Sequence, residues 1–286
     1  MEKIPIRYIN ATQKETDASE SFNIRDIRDL LAGKNMVQEL HRHDYFYILA
    51  LKKGTGNHEI DFTSYQVRDH SIFIMRPGQV HQLTLKSESR GYLIEFKTDF
   101  YHPLNKPSNQ LLRKASYQNL CQPDAIGFKK LLVILTYVFK EYSDKQERYQ
   151  DVIRANLDIF FIELLRHRQN RQRSSNTART YTQERLEEFL ELLEAHIVRF
   201  KQVSDYADML NLSTYQLNAI TKETLGKTSS ELINEYIILE AKRYLLATTK
   251  QVNQIAHQLG YEDVSYFNRF FKKRTGYSPE TFRNNL

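Results

Sequence analysis

Among its 286 residues the chain holds a single cysteine, Cys121, so no internal disulfide can form. No run approaches the roughly 18 apolar residues that a membrane-spanning helix needs. The N-terminal stretch MEKIPIRYINATQKETDASE has no apolar h-region, so no secretory signal is expected. Together with the lone thiol, this points to a reducing cytoplasm and no membrane partner. Nucleophile elbow, P-loop and zinc-protease motifs are all missing, and the expectation is a protein that is not an enzyme. A strong positive charge is also missing where it would be simplest to interpret. The formal net charge is +6, a mild pull toward polyanions, but from Tyr181 onward 13 Lys and Arg face 14 Asp and Glu. A nucleic-acid role for the last third must therefore rest on where its charges point.

What is present falls into two textures. Up to about Phe100 the chain reads as short strands: FYILAL (46–51), SIFIMR (71–76), HQLTLK (81–86) and GYLIEFK (91–97), separated by KKGTGN, RPGQ and SESRG turns. Many short strands at close spacing suggest a sandwich or small barrel. From about Asp124 the apolar spacing becomes helical. FKKLLVILTYVFKEY (128–142) and YQDVIRANLDIFFIELLRHRQ (149–169) form two amphipathic helices, with core packing and a dimer interface both open as their use. RQNRQRSSNTART (168–180) has no apolar period. Five arginines and no acid lie between Arg166 and Arg179, and the stretch reads as a linker. A helix over 182–198 follows, with Thr182 near its cap.

The last third carries a repeated plan. In VNQIAHQLGYEDVSYFNRFFKKRTG (252–276), Val252, Ile255, Ala256 and Leu259 form one helical face. Gly260 suits a left-handed helix end, and Glu262–Asp263 offer carboxylates at the next helix start. Phe267, Phe270 and Phe271 share a face that leaves Asn268, Arg269 and Lys272 elsewhere. This is a helix-turn-helix arrangement, although a plain amphipathic helix with solvated charges fits the second half equally well. The balance shifts with VSDYADMLNLSTYQLNAITKETLGKTSSELI (203–233), which repeats the plan. Val203, Tyr206, Ala207 and Leu210 form its first face, Ser213 is an N-cap, and Leu217 and Ile220 point inward. A Gly- and Pro-free helix over 231–248 joins the units. Two such units could meet major-groove segments roughly 34 Å apart.

The stretch IAHQLGYEDVSYFNRFFKKRTGYSPETFR, and more loosely LSTYQLNAITKETLGKTSSELINEYIILEAKRYLL, resembles the DNA-binding domain of the AraC/XylS family of bacterial transcription regulators. The resemblance implies an α+β protein of two domains: an N-terminal cupin-like β-barrel with flanking helices, and a C-terminal all-α domain with two helix-turn-helix units on a linking helix. It places effector binding and dimerisation in 1–168, with helices 128–168 pairing subunits. A linker spans 169–180 and the DNA-binding domain 181–286. Positions that match the family's base readers are Tyr215, Asn218, Ala219, Ser265, Tyr266, Asn268 and Arg269. Thr214, Gln216, Lys222, Lys272 and Lys273 complete the candidate DNA-binding set. Ala219 and Ile237 depart from frequent arginines, so the second unit is expected to carry more of the specificity.

HRHDYFYILALKKGTGNHEID (41–61) and DHSIFIMRPGQVHQLTL (69–85) resemble the two cupin motifs of the same family's sensor domain. His41, His43 and His81 fall at cupin metal positions, but Tyr47 replaces the usual glutamate, and no metal or other cofactor is expected. His43, Tyr45, Tyr47, Phe73, Met75 and His81, with Leu93, are the candidate lining of a small-molecule site, and all are equally compatible with core. The implied partners are double-stranded DNA, a small-molecule effector, a second copy of the chain and, for an activator, RNA polymerase. Two alternatives remain: a metal-dependent cupin enzyme tethered to DNA, and a nucleoid protein without sequence preference, which the near-neutral C-terminal third disfavours.

Overall fold

The computed structural model describes residues 6–7, 9, 21–101, 106–172 and 177–284. These form two compact units, each with its own core.

The N-terminal unit is built on two five-stranded sheets. One orders β1 (Ile6–Arg7), β3 (Met36–His43), β8 (Val80–Leu85), β5 (Gly56–Ile60) and β6 (Thr63–Val67). The other orders β10 (Leu120–Cys121), β7 (Ser71–Met75), β4 (Phe46–Lys53), β9 (Arg90–Phe96) and β2 (Phe22–Asp26). Short helices α1 (Ile27–Leu31), α2 (Thr98–Tyr101) and α3 (Lys106–Ser116) connect strands, and α4 (Ala125–Asp144) pairs with α5 (Tyr149–Gln172).

β4 is an unbroken apolar run because both of its faces are covered. Phe46, Ile48 and Ala50 turn toward the helices and pack with Phe128, Leu131 and Leu135 of α4 and Leu157 and Phe161 of α5. Tyr47, Leu49 and Leu51 turn between the sheets, where Phe73, Met75, Leu83 and Leu93 meet them. This settles the inward set that alternation alone left open. Tyr45, Tyr47, Phe73, Met75 and Leu93 all face the inter-sheet core.

The C-terminal unit is helical: α6 (Thr177–His196), α7 (Val203–Met209), α8 (Thr214–Leu225), α9 (Ser229–Ala247), α10 (Val252–Gln258), α11 (Val264–Thr275) and α12 (Pro279–Asn284). One apolar cluster runs through it, with Ile233, Ile237, Ala241 and Leu245 of α9 buried among residues of both helix-turn-helix units. Ile237 is a core residue here, which explains an apolar side chain in place of an arginine.

The helix bounds around the expected linker are corrected. The helices reach further into the expected linker 169–180 than its composition suggests: α5 extends through Gln172 and α6 begins at Thr177, so Thr182 lies inside a helix rather than at its start, while the division between the two units still falls within that stretch. Arg, Gln and Ala are good helix formers and sustain helix without an apolar period. The remainder, 173–176, lies outside the described residues. Strands β1, β2, β3, β5, β6 and β10 lie outside the four runs that the sequence marks as strands. The β5–β6 hairpin turns through Asp61 and Phe62, both at positive φ, without the Asn-Gly signature of such turns.

Gly260 ends the α10 turn at φ +75°, and a Cβ there would stand 1.9 Å from the Val198 carbonyl oxygen. Gly276, at φ +83°, has nothing near its would-be Cβ. Gly276→Ala should cost about 1 kcal/mol from backbone conformation alone, and Gly260→Ala clearly more. Urea unfolding of the two variants checks this, and equal losses would contradict the close approach.

Candidate functional site: two helix-turn-helix faces and a buried histidine cluster

Helix α8 starts at Ser213, whose hydroxyl accepts from the Gln216 backbone N–H at 3.2 Å. Leu217, Ile220 and Thr221 are buried. Thr214, Tyr215, Gln216, Ala219 and Lys222 are exposed, Tyr215 at 82%. Two of the candidate readers on this helix have inward duties. The Gln216 side chain accepts from the Ser213 backbone N–H at 2.8 Å, closing a capping box. Asn218 is half-buried: Nδ2 donates to the Thr214 carbonyl and Oδ1 accepts from the Ser229 backbone N–H, both at 3.0 Å.

Helix α11 starts at Asp263, which accepts from the backbone N–H groups of Ser265 at 2.7 Å and Tyr266 at 3.1 Å. Phe267 and Phe271 are fully buried and Phe270 partly so. Ser265, Tyr266, Arg269, Lys272, Lys273 and Arg274 are exposed. Tyr266 lies against Tyr261, ring centroids 6.0 Å apart. The Arg269 side chain is 70% exposed, with Asp263 at 3.9 Å. Asn268 is half-buried, and its Oδ1 has no hydrogen-bond partner. With Arg269, Lys272 and Pro279 it lines an open cleft of about 640 Å³.

The buried phenylalanines thus hold a basic, amide-bearing face outward. Arginine suits guanine O6 and N7, asparagine suits adenine N6 and N7, and lysine suits phosphate. A residue that the sequence reading passed over, Arg283, braces this unit: it donates to the carbonyls of Leu245 and Lys250, both at 2.8 Å, and ties α12 to the end of α9.

Between the two sheets, His41, His43, His58 and His81 are all buried. A register shift between Gln38 and His41 sets His41 opposite His81. His43 Nε2 and His81 Nε2 lie 2.7 Å apart, and His58 Nε2 lies 2.8 Å from His81 Nδ1. His41 Nδ1 is 2.6 Å from the Glu39 carbonyl, which fixes the proton on Nδ1 and leaves Nε2 as a bare acceptor. His41, His43 and His81 each bring one ring nitrogen within 4.8 Å of the others, near enough to share a divalent cation. Tyr47 stands beside them, and burial raises its hydroxyl above the ordinary range, so it stays neutral and is a poor ligand.

Two groups here escaped the sequence reading. His58 lies on the unforeseen β5, where Gly56, His58 and Ile60 alternate inward. Glu95, opposite Tyr47 in the β4–β9 register, is buried and accepts from Tyr45 Oη at 3.0 Å and from Asn23 Nδ2 and Arg25 Nη2, each at 2.9 Å. The candidate lining residues His43, Tyr45, Tyr47, Phe73, Met75 and His81 are therefore brought together, each almost fully covered.

Comparison with known proteins agrees with this division. Residues 33–123 match the model of the AraC-like ligand binding domain, and residues 206–285 match that of a helix-turn-helix domain. The chain is 24% identical over 257 residues to the HTH-type transcriptional activator RhaS of Pectobacterium carotovorum, covering 85% of this chain and 87% of the relative. To RhaS of Enterobacter sp. (strain 638) it is 21% identical over 246 residues, covering 85% and 86%. Among solved structures, ToxT from Vibrio cholerae O395 aligns over 92% of this chain and 97% of its own at 18% identity, with a TM-score of 0.42. The C-terminal domain of the response regulator yesN from Fusobacterium nucleatum aligns over 33% of this chain and 93% of its own at 29% identity, with a TM-score of 0.32.

Burial pulls the histidines down from their ordinary value of 6.5: His41 to about 4, His58 to about 3 and His43 to about 2. The unfolded chain binds protons near pH 6.5 while the folded chain does not, so stability falls as pH drops below that value. Each such histidine should remove up to about 2 kcal/mol between pH 6.5 and pH 5, a window above most carboxylate titrations. Denaturant titrations of the intact chain at these pH values should show the loss, and a flat profile would mean the rings ionise freely.

Proposed function

We infer that this chain, which belongs to the AraC/XylS family of DNA-binding transcription regulators, reads DNA with α8 and α11 in the major groove and takes its signal from a small molecule between the sheets. The observation that carries the DNA reading is the repeated pairing of buried anchors with exposed polar groups: Leu217 and Ile220 beneath Tyr215 and Lys222, with the small Ala219 between them, and Phe267 and Phe271 beneath Ser265, Tyr266, Arg269, Lys272 and Lys273. The match of residues 33–123 to a ligand-binding domain supports the sensing role, as does the clustering of His43, Tyr45, Tyr47, Phe73, Met75 and His81. In this scheme 1–168 senses and dimerises, 181–286 binds DNA, and the connection narrows to the segment between α5 and α6.

A homodimer through α4 and α5 is supported by their uncovered apolar residues, Ile126, Val133 and Tyr137 on α4 and Ile159 and Ile162 on α5. Among the described residues no helix is long and apolar enough to cross a membrane, which suits work on cytoplasmic DNA. The relatives' names support activation, and hence RNA polymerase as a partner. A metal-dependent enzyme tethered to DNA draws on one observation, the three converging imidazoles, with which no carboxylate groups among the described residues. Metal analysis of purified protein decides against it if no stoichiometric transition metal is found.

Selection from a random DNA pool by the purified chain, with and without metabolite extract, should enrich a defined sequence. Arg269→Ala should cost ~1–3 kcal/mol and relax one base position, while Lys272→Ala should weaken all sequences alike and lower the salt slope by about one. Unchanged preference in Arg269→Ala would remove α11 from the groove. Sedimentation at micromolar concentration should give a dimer that Val133→Glu dissociates, and a monomeric parent protein would refute the α4–α5 pairing.

A further inference from the structure

The two helix-turn-helix units share one frame, offset by 50 residues. Ser213 and Asp263 cap α8 and α11, Gly226 and Gly276 close them in the left-handed conformation, and the hydroxyls of Thr228 and Ser278 cap the helices that follow. In this frame Asn218 corresponds to Asn268, and Ser229 to Pro279. The two asparagines look interchangeable in sequence but differ in what they meet. The Ser229 backbone N–H lies in the first turn of α9, where the helix itself offers no acceptor, and Asn218 Oδ1 accepts from it at 3.0 Å. Pro279, first residue of α12, has no N–H to offer. Asn268 Oδ1 is buried without a partner, on the wall of the cleft it shares with Arg269, Lys272 and Pro279.

Turning Asn218 outward would break two hydrogen bonds, one at each end of its amide. Turning Asn268 outward breaks none at Oδ1, and it relieves an orphaned acceptor. We propose that the residue opening the helix after each recognition helix decides that helix's asparagine role: Pro279 frees Asn268 to read a base, and Ser229 confines Asn218 to holding α8 against α9. The matching base is adenine, whose N6 amino group donates to Oδ1 while N7 accepts from Nδ2. This rests on the reading of α11 as a groove-entering helix and deepens it by naming the base and its specificity switch.

The test uses the full chain and DNA selected from a random pool by the wild type. Asn268→Ala should reduce preference for one adenine by about tenfold or more. Pro279→Ser supplies the N–H that the first unit has and should remove the same preference, with the salt slope unchanged and thermal stability equal to or above wild type. The double variant should lose no more than either single one. Asn218→Ala should lower the melting temperature and leave sequence preference intact. The proposal is overturned if Pro279→Ser keeps the adenine preference, or if Asn218→Ala loses a base and Asn268→Ala does not. A wild type that enriches no sequence overturns the groove reading along with it. A wild type whose motif responds to Arg269→Ala but not to Asn268→Ala or Pro279→Ser overturns the asparagine assignment alone.

Discussion

The burial of α9 between two small helix pairs is the contact on which the C-terminal unit depends. Neither α7–α8 nor α10–α11 has enough apolar surface to be stable alone, because helices of 7 and 12 residues are too short to hold in water. Ile233, Ile237, Ala241 and Leu245 give both pairs a common wall. Each buried phenylalanine or isoleucine contributes roughly 1.5–3 kcal/mol against exposure. Phe267 and Phe271 supply that for α11, and the Arg283 bonds to the end of α9 fix the angle at which α12 closes the unit. Exposed readers are useful only when their helix does not roll, and this shared wall prevents rolling.

In the N-terminal unit β4 plays the comparable part. Its alternate residues belong to two cores, the inter-sheet rings on one side and the α4–α5 layer on the other. A molecule entering between the sheets must displace side chains already packed around Tyr47 and His81, because every candidate lining residue is covered. Close-packed interiors rearrange in steps rather than deform smoothly. The Tyr45–Glu95–Arg25 chain links the histidine cluster to the edge strand β2, so disturbing the rings also disturbs a buried carboxylate that three donors now satisfy. Tyr47 is followed along β4 by Ile48, which packs in the α4–α5 layer, so a displacement of the Tyr47 ring bears on a strand that both cores share.

How much of this was legible in the sequence follows from how local each signal is. β4, β7 and β9 were visible because strands covered on both faces are dense in apolar residues, and β8 because buried Leu83 and Leu85 alternate with exposed Gln82 and Thr84. β3 was hidden because its first half is solvent-facing, with charged and amide residues along MVQELHRH, and the β5–β6 hairpin was hidden because Asp61–Phe62 lacks turn glycine. The helix-turn-helix frame was visible because caps, glycines and anchors recur at fixed spacing. The helical bounds of the basic stretch before Tyr181 are not legible because helicity there rests on propensity rather than on an apolar face. The division of labour between Asn218 and Asn268 could not be read locally, since it turns on a backbone N–H eleven residues further along.

That division agrees with the charge distribution. A unit with 13 positive and 14 negative residues cannot rely on a broad field to hold a polyanion. Five of its fourteen acids, Glu184, Glu187, Glu188, Glu191 and Glu194, lie on α6, away from α8 and α11 in sequence. Arg269, Lys272, Lys273 and Arg274 gather on the exposed side of α11, whereas Lys222 on α8 is followed at once by Glu223. Attraction to phosphate is therefore strongest at the unit whose asparagine is unencumbered. Phosphate contacts set register and base contacts set sequence, and a DNA-binding unit with little net charge must draw most of its discrimination from the second. Both resources meet on α11. The first unit, with Ala219 small and both Gln216 and Asn218 engaged in caps, presents chiefly the Tyr215 ring and Lys222, a combination suited to apolar contact with a thymine methyl and to phosphate.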